Sequence, residues 1–213
     1  MTALTVLGVP TSAGAFTPGQ ERAPAALREA GLVAALRERG LEVRDLGDSP
    51  VWRWRPDRER PRAQNLEAVV DISRDTARRV EAALDGDGPL LVLGGDCTIE
   101  LGVLAGHLSG DASFGLVYFD LHPDLNTPET VTEGTFDWMG MGHALGLDGA
   151  ARELLEFGPR TPLLQDEQVL FLAYGPEQTR PSELDAMVHR GLARIPVDEV
   201  ARDPGAAAGR ALE

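Results

Sequence analysis

The fold of this chain is decided by a twelve-residue stretch that reads Val117-Tyr118-Phe119-Asp120-Leu121-His122-Pro123-Asp124-Leu125-Asn126-Thr127-Pro128. An apolar run over 114–119 leads into it and is typical of a buried strand. The run passes directly into Asp120, His122 and Asp124. Residues two apart in an extended chain point to the same side, so these three side chains are expected to converge. Two carboxylates and an imidazole at this spacing suit a divalent cation such as manganese or zinc.

Strand-like and helix-like segments alternate along the chain. Short apolar runs predict strands, and helical spacing predicts helices. The predicted strands are 4–9, 41–46, 90–93, 114–119, 168–173 and 192–196, and the predicted helices are 24–39, 66–84, 98–108, 135–147, 181–189 and 198 onward. This alternation predicts an α/β fold with three layers, in which a mostly parallel sheet lies between helices. We find no internal repeat and no low-complexity linker, so residues 1–213 are predicted to form a single domain.

Composition narrows the classes of partner and compartment. The net charge of -14 argues against nucleic acid and anionic membranes, which require a basic surface. No apolar run approaches the roughly 18 residues of a membrane span. Cys97 is the single cysteine, so no internal disulfide forms, which fits a reducing compartment. The N-terminus has no basic region of a signal peptide, and we therefore predict a cytoplasmic protein.

A second polar segment follows the predicted strand at 90–93 and reads Gly-Gly-Asp-Cys over 94–97. Ligands of parallel sheets bind outside the carboxyl ends of the strands. If this strand and the one ending at 119 are neighbours, Cys97 faces the three candidate metal ligands. A position at a helix N-terminus would favour its thiolate, which is the form that binds metal. The alternatives are a Cys97 that packs as a small apolar side chain and an Asp96 that only caps the helix.

The remaining histidines are weaker candidates for a functional site. His107 and His189 fall near the ends of predicted helices, where a cation interacts favourably with the helix dipole, and a structural role is predicted for both. The loop over 120–128, which carries the three candidate ligands, is called the organising loop. His143 lies on the helix predicted after it and is a candidate to face the site.

Taken together, the two polar segments resemble the arginase/agmatinase (ureohydrolase) family. The family motifs are Gly-Gly-Asp-His-Ser and Asp-Ala-His-x-Asp-x-Asn-Thr-Pro. The resemblance implies an arginase-like α/β fold and two manganese ions bridged by hydroxide. It also implies hydrolysis of a guanidino or amidino C–N bond in a small-molecule substrate, and a homo-oligomer. In such sites the cations lower the pKa of a water molecule and polarise the substrate carbon.

The resemblance carries over to individual residues. Asp120, His122 and Asp124 match metal ligands, and Asp124 is also expected to serve the reaction. Asn126 and Thr127 match the part of the motif that contacts the substrate.

Two departures from the family pattern affect the site. Cys97 stands where the family has a metal-binding histidine, and its softer thiolate suits Zn²⁺ or Fe²⁺ better than Mn²⁺. The family segment Ser-Gly-Asn-x-His-Gly reads Glu-Gly-Thr-Phe-Asp-Trp over 133–138. Asp137 therefore replaces a histidine that resembles a proton shuttle, and His143 is a possible substitute for it. This altered loop also argues that arginine itself is not the substrate.

A later family motif, Ser-x-Asp-x-Asp-x-x-Asp-Pro, supplies two more metal-binding aspartates and is not found in the sequence, nor is the later substrate-binding glutamate. The resemblance therefore predicts a chain that lacks the C-terminal part of the family fold and offers at most four protein ligands: Cys97, Asp120, His122 and Asp124.

Two functional hypotheses stand at this point. The first is a metal-dependent amidinohydrolase that is active in a longer form. The second is a ureohydrolase-like protein without activity, with at most a partial metal site and a structural, regulatory or oligomer-forming role. A dinucleotide-binding oxidoreductase is disfavoured because no Gly-x-Gly-x-x-Gly follows an early strand.

Overall fold

The computed structural model describes residues 3–84, 88–109 and 114–212. Strands and helices alternate in it, which confirms the predicted α/β class. The strands are β1 (Leu4–Val9), β2 (Val43–Asp48), β3 (Leu90–Gly94), β4 (Leu116–Phe119), β5 (Val169–Tyr174) and β6 (Ala193–Pro196). The helices are α1 (Ala23–Glu29), α2 (Leu32–Glu38), α3 (Leu66–Ala83), α4 (Ile99–Leu108), α5 (Gly140–Ala144), α6 (Arg152–Leu155), α7 (Pro181–His189), α8 (Val197–Arg202) and α9 (Pro204–Ala211).

The strands form two three-stranded sheets with the orders β2-β1-β3 and β4-β5-β6. Every pairing within them is parallel, as the alternating pattern predicts. In the described part of the chain, no ladder joins β3 to β4. The two strands that precede the polar segments are therefore not neighbours. The expectation that Cys97 faces the other candidate ligands because these strands pair directly is wrong. Their carboxyl ends nevertheless come together at the site described below.

The core lies between the sheets and the longest helices. The middle of β1 is buried, and Val6 and Leu7 have no exposed surface. On α3, buried residues recur every three or four positions, at Val69, Ile72, Thr76 and Val80, which is the spacing that predicted the helix. None of the described helices combines the length and the apolar character needed to cross a bilayer.

The apolar strand β4 has two different faces. Tyr118 points towards the site, whereas Val117 and Phe119 point the other way and are 43% and 68% exposed. This alternation follows from the two-residue period of a strand. The face that carries Val117 and Phe119 therefore remains largely uncovered by the described elements.

The single helix predicted over 24–39 is wrong, because the segment forms α1 and α2. The two helices are separated at Gly31, whose φ of 89° lies in the left-handed region. Glycine adopts this conformation without the steric penalty of a side chain. A glycine inside an apolar helical pattern therefore marked the break.

The helix predicted over 135–147 is also wrong. The segment forms a 3₁₀ turn at Phe136–Trp138 followed by the five-residue α5. Gly142 donates its backbone N–H to the carbonyl of Asp124 at 3.0 Å, and a Cβ at Gly142 would overlap the backbone of Asn126. The segment is thus packed against the organising loop. A backbone hydrogen bond to this loop forms at Gly142, and the segment does not continue as one long regular helix.

The C-terminal region likewise forms two helices, α8 and α9, where one was predicted from 198 onward. Asp203 lies between them with an extended backbone, since the residue before a proline is disfavoured in the helical region. Its side chain accepts a hydrogen bond from the backbone N–H of Ala206 at 3.0 Å and caps α9.

The packing of α3 on α4 yields a stability prediction. A Cβ at Gly102 would overlap the side chain of Thr76 and the carbonyl of Ser73. We expect Gly102→Ala to lower the free energy of unfolding by about 1–3 kcal/mol, because an overpacked core strains its neighbours.

Gly209→Ala in α9 is the matched control, since no atom lies near its Cβ position. It should raise the free energy by up to about 1 kcal/mol. Urea denaturation measures both, and a Gly102→Ala variant as stable as the wild type would contradict the packing.

Candidate metal centre and adjoining pocket

The candidate site is built where β4 ends. The backbone N–H of Asp120 still donates to the carbonyl of Leu172 on β5, at 3.2 Å. The chain then turns, because the carboxylate of Asp120 accepts the backbone N–H of His122 at 2.8 Å. Asp124 follows with a left-handed φ of 48°, which is uncommon for a residue other than glycine. The chain is therefore not extended beyond Asp120, whereas an extended chain was expected from the spacing of Asp120, His122 and Asp124.

Three of the predicted ligands converge. The sulfur of Cys97 and one carboxylate oxygen each of Asp120 and Asp124 all lie within 4.8 Å of one another. Cys97 follows β3, and the two aspartates follow β4, so the carboxyl ends of two parallel sheets meet here. This is the place where α/β proteins bind ligands.

His122 does not join this cluster. Its side chain is 51% exposed, and its Nδ1 lies 3.8 Å from the carboxylate of Asp120. The turn after Asp120 carries the imidazole towards the neighbouring pocket. His122 as a metal ligand stays a prediction that this geometry does not support.

Cys97 is held in place by Asp96, which is buried. The backbone N–H of Asp96 donates to the carbonyl of Thr11 at 2.9 Å, and its carboxylate accepts the backbone N–H groups of Gly14 and Thr98, at 3.0 and 3.1 Å. Burial raises the pKa of Asp96 to about 6. The carboxylate of Asp96 thus ties Thr98, the residue before α4, to the loop after β1; it does not itself cap α4, whose N-cap is Thr98.

Asp137 lies directly beside Cys97. Its carboxylate accepts the backbone N–H of Cys97 at 2.6 Å and the side-chain N–H of Gln20 at 3.1 Å. Burial raises the pKa of the Cys97 thiol far above its ordinary value, and the charges of Asp137 and Asp124 raise it further. This direction is opposite to the lowering expected at a helix N-terminus; the pKa is raised first by burial and then by the neighbouring carboxylates. The thiolate therefore requires a cation in the cluster.

Asp124 is 4% exposed and accepts a hydrogen bond from the Tyr118 hydroxyl at 2.6 Å. Burial raises the pKa of Asp124 to about 8, with further contributions from the nearby charges of Asp120 and Asp137. The hydrogen bond from Tyr118 opposes this rise but does not offset it. A buried carboxylate next to two others is unfavourable unless a cation compensates it.

A fourth acidic group, Glu100, was missed by the sequence analysis. It lies one turn after Cys97 on α4, and its Oε1 atom is buried without a hydrogen-bond partner in the described structure. Burial raises its pKa well above the ordinary value, the charge of Asp124 raises it further, and a hydrogen bond with Tyr118 opposes the rise. Its position in the first turn of the helix that follows Cys97 was the signal that could have identified it.

The donor set fits a divalent cation. It combines a thiol, several carboxylates and one orphaned buried oxygen, all of which a positive charge would stabilise. Within the described ranges, the imidazole of His122 is the one basic group within salt-bridge distance of Asp120, and no arginine contacts Asp124. The carboxylates suit manganese, whereas the thiolate suits zinc or iron, so the ligand set is compatible with any of these metals.

A pocket of about 230 Å³ adjoins the cluster and shares Asp124 with it. Its walls come from the organising loop, the 3₁₀ turn and the start of α7. The lining residues are His122, Asp124, Asn126, Trp138, Gln178, Arg180 and Glu183.

Glu183 organises this pocket and was also missed by the sequence analysis. It is 3% exposed. One oxygen accepts the backbone N–H of Leu125 at 3.1 Å and the amide of Asn126 at 2.8 Å, and the other accepts the backbone N–H of Arg180 at 2.9 Å. Pro181 followed by an acid within the first turn is a helix-start signal, and the helix over 181–189 was predicted. The contact with a loop 57 residues earlier had no local signal.

The predicted substrate-binding residues have different positions. Asn126 lines the pocket, but its side-chain amide already donates to Glu183 and to the carbonyl of Trp138, at 2.8 and 3.1 Å. Thr127 is buried and does not line the pocket; its backbone N–H donates to the hydroxyl of Thr130 at 2.9 Å. Both residues therefore hold the loop in shape, and their contact with a substrate stays a prediction.

His143 is buried in α5 with both ring nitrogens engaged. Nδ1 bonds to the carbonyl of Met139 at 2.7 Å, and Nε2 accepts the backbone N–H of Ala151 at 3.0 Å. Burial lowers its pKa to about 4, so the ring is neutral near pH 7. These contacts give His143 a structural role in this geometry, and we do not include it among the reacting groups.

Comparison with known proteins agrees with this architecture. The model of the arginase family matches residues 2–206. The chain belongs to the arginase family. It is 31% identical over 174 residues to the arginase of Bacillus caldovelox, which covers 81% of this chain and 58% of that relative. It is 29% identical to human arginase-1, with 92% of this chain and 61% of the relative covered. The chain thus spans about three fifths of the length of these arginases.

Solved arginase structures confirm the predicted arginase-like fold. The B. caldovelox arginase superposes with a TM-score of 0.82 over 95% of this chain and 67% of that structure, at 27% identity. The Entamoeba histolytica arginase, solved in complex with L-ornithine, gives a TM-score of 0.87 at 23% identity and covers 100% of this chain and 71% of that structure. At this identity, the similarity to the E. histolytica structure is evidence for the fold alone.

The raised pKa of Asp124 yields a pH prediction for the metal-free protein. A carboxyl group whose pKa is raised on folding stabilises the folded state fully below its unfolded value of 3.8, and this stability is lost as the pH rises through about 8. Between these values we expect the free energy of unfolding of the wild type to fall relative to that of Asp124→Asn, by at most about 1.4 kcal/mol per pH unit. Urea titrations at several pH values, with a chelator present, measure both. Parallel profiles would contradict the burial of an ionisable Asp124.

Proposed function

We propose that this protein hydrolyses a guanidino or amidino C–N bond in a small molecule and depends on a divalent metal. The observation that carries the proposal is the convergence of Cys97, Asp120 and Asp124 within 4.8 Å of one another, beside a pocket of about 230 Å³. Membership of the arginase family supports the reaction class.

Cys97, Asp120 and Asp124 would hold the metal, with Glu100 behind them as a further buried acid. The residues favour a divalent ion of the manganese, zinc or iron type, and the thiol shifts the preference towards zinc or iron. When bound, such an ion supplies a water of lowered pKa and polarises the substrate carbon.

The protein's own side chains would position and recognise the substrate. A guanidino or amidino group is a planar cation, and the acidic cluster around Asp124 attracts it into the pocket. Glu183 fixes Asn126 and the start of α7 and so sets the width of the pocket. Fixed walls of this kind hold the reacting carbon in one orientation.

We infer that two side chains carry protons. His122 lines the pocket and is half exposed, so it can exchange protons between the departing amine and solvent. Asp137 lies against the backbone of Cys97, and its carboxylate also reaches Gln20 near the surface. This position is consistent with the proton-carrying role predicted for Asp137 from the resemblance.

One observation favours the second hypothesis, a protein that binds metal without turnover. His122 lies outside the cluster, so three ligands converge where four were predicted. Under this hypothesis the metal would have a structural or regulatory role, and the pocket would bind a ligand without altering it.

Activity assays distinguish the two hypotheses. We expect the protein loaded with Mn²⁺, Zn²⁺ or Fe²⁺ to release urea or ammonia from one or more guanidino or amidino compounds, and Asp124→Ala to lower kcat/KM by at least about 100-fold, because the metal loses a buried ligand. Asp71→Ala on the exposed side of α3 is the control and should retain activity. Unchanged turnover in Asp124→Ala would contradict the proposed site. Tight metal binding without turnover of any such compound would support the non-enzymatic alternative.

A further inference from the structure

The ring of Tyr118 is held by its neighbour in the sheet. Tyr118 on β4 is paired with Phe171 on β5, and the two rings meet edge to face with their centres 5.8 Å apart. Phe171 is itself part of the core and is 1% exposed. An edge-to-face contact is a favourable arrangement for two aromatic rings. The phenol of Tyr118 is therefore held in one orientation, with its hydroxyl at the candidate metal centre.

The hydroxyl of Tyr118 lies between two acids. It donates to the carboxylate of Asp124 at 2.6 Å, and Glu100 on α4 makes a hydrogen bond with the same side chain. A hydroxyl has one donor and two acceptor sites, so it can bridge two carboxyl groups. A short hydrogen bond to a carboxylate is directional, and the contact with Tyr118 therefore restricts the rotation of the Asp124 carboxylate.

Glu100 is confined on another side by Gly140. A Cβ at position 140 would overlap the Oε1 atom of Glu100, so a side chain there would displace this carboxyl group. Oε1 is buried and finds no hydrogen-bond partner in the described part of the chain. The hydrogen bond with Tyr118 is thus the polar contact that engages the carboxyl group of Glu100.

The contacts of Tyr118 span the two halves of the metal centre. Glu100 lies one turn after Cys97, and its backbone N–H donates to the carbonyl of Cys97 at 3.1 Å. Asp124 belongs to the loop after β4. The strands β3 and β4 precede these two halves and belong to separate sheets over the ranges described. Strand pairing therefore does not set the distance between Cys97 and Asp124, and side-chain contacts such as these have to do so.

We propose that Tyr118 is a positioning residue that fixes the carboxylate of Asp124 as a metal ligand. Glu100 acts through Tyr118 and thereby links this ligand to the segment of Cys97. Neither Tyr118 nor Glu100 binds the metal itself. Outer contacts of this kind orient metal ligands, and their loss typically weakens metal binding by about 10- to 100-fold. The inference rests on the metal centre of the proposed function, and it depends on neither substrate nor turnover.

Tyr118→Phe removes the hydroxyl and keeps the ring that packs on Phe171. We expect it to weaken Zn²⁺ binding by about 10- to 100-fold, because Asp124 loses the contact that orients it. Competition with a chromophoric chelator measures the dissociation constant. Tyr174→Phe is the matched control and should leave this constant unchanged. Tyr174 is likewise buried on a strand, β5, and its hydroxyl has no hydrogen bond to another described residue.

The spectrum of bound Co²⁺ separates a positioning role from a purely structural one. At saturating Co²⁺ the visible ligand-field bands depend on the geometry of the ligands. We expect these bands to differ between the wild type and Tyr118→Phe, and to coincide for the wild type and Tyr174→Phe. A role in stability alone would lower the urea midpoint of the metal-free protein and alter neither the bands nor the Zn²⁺ dissociation constant.

Substitutions at Glu100 test whether this residue acts through Tyr118. Glu100→Ala should weaken Zn²⁺ binding by about 10-fold. Glu100→Gln should retain most of the affinity, because its amide can still bond to the hydroxyl. The double variant Tyr118→Phe/Glu100→Ala should bind no more weakly than Tyr118→Phe, since residues that act as one unit are not additive. Additive losses, or a larger loss in Glu100→Gln than in Tyr118→Phe, would overturn the inference, and the larger loss would make Glu100 a ligand.

The outcomes are distinguishable from those of the proposed function. An unchanged Zn²⁺ dissociation constant and an unchanged Co²⁺ spectrum in Tyr118→Phe would overturn the inference and leave the proposed metal centre intact. A wild type that binds neither ion would overturn both. Weaker binding with an altered spectrum in Tyr118→Phe supports the inference even if no guanidino or amidino compound is hydrolysed, and in that case the hydrolase proposal alone fails.

Discussion

The crowding of carboxyl groups at the end of β4 is the constraint on which the rest of this structure depends. Asp124 is buried beside Asp120 and close to Asp137, and the buried oxygen of Glu100 has no partner among the described residues. In a medium of low polarity such charges repel one another strongly, and burial makes each charged form costly. A divalent cation would convert this repulsion into attraction, and the cysteine beside the aspartates would then bind as its thiolate.

Two buried acids outside the cluster hold it in shape. Asp96 ties the segment that carries Cys97 to the loop after β1, and Glu183 ties the loop that carries Asp124 to the start of α7. Each accepts hydrogen bonds from backbone groups that would otherwise be unsatisfied. The cluster and the pocket thus share one frame, so a change at Glu183 is expected to alter the pocket and the loop of Asp124 together.

Local sequence patterns predicted much of this arrangement. Apolar runs located each of the six strands in the described residues, and the polar residues after two of them indicated the candidate site, since parallel strands place their carboxyl ends at one edge. The convergence of His122 with the two aspartates assumed an extended chain, whereas the chain turns where the carboxylate of Asp120 accepts the backbone N–H of His122, and Asp124 then has a left-handed backbone. No residue pattern signals that conformation in an aspartate.

The missed residues depend on contacts between distant parts of the chain. Glu183 meets Asn126 across 57 residues, and Glu100 on α4 meets Tyr118 on β4. The helix predicted over 135–147 failed for a similar reason, because Gly142 bonds to the organising loop. The ligand roles that the family resemblance implies for Cys97, Asp120 and Asp124 stay predictions, and the convergence of these three side chains depends on the folded chain.

The most direct measurement of the central claim is a titration of the metal-free protein with Co²⁺, followed by absorption spectroscopy. Cobalt is a common spectroscopic stand-in for zinc, and a cobalt–thiolate bond gives a charge-transfer band in the near ultraviolet. We expect a band that saturates at a fixed ratio of metal to protein, is lost in Cys97→Ser, and is weakened in Asp124→Asn. Cobalt binding without a thiolate band, or a band of equal strength in Cys97→Ser, would contradict a metal centre built on Cys97, Asp120 and Asp124.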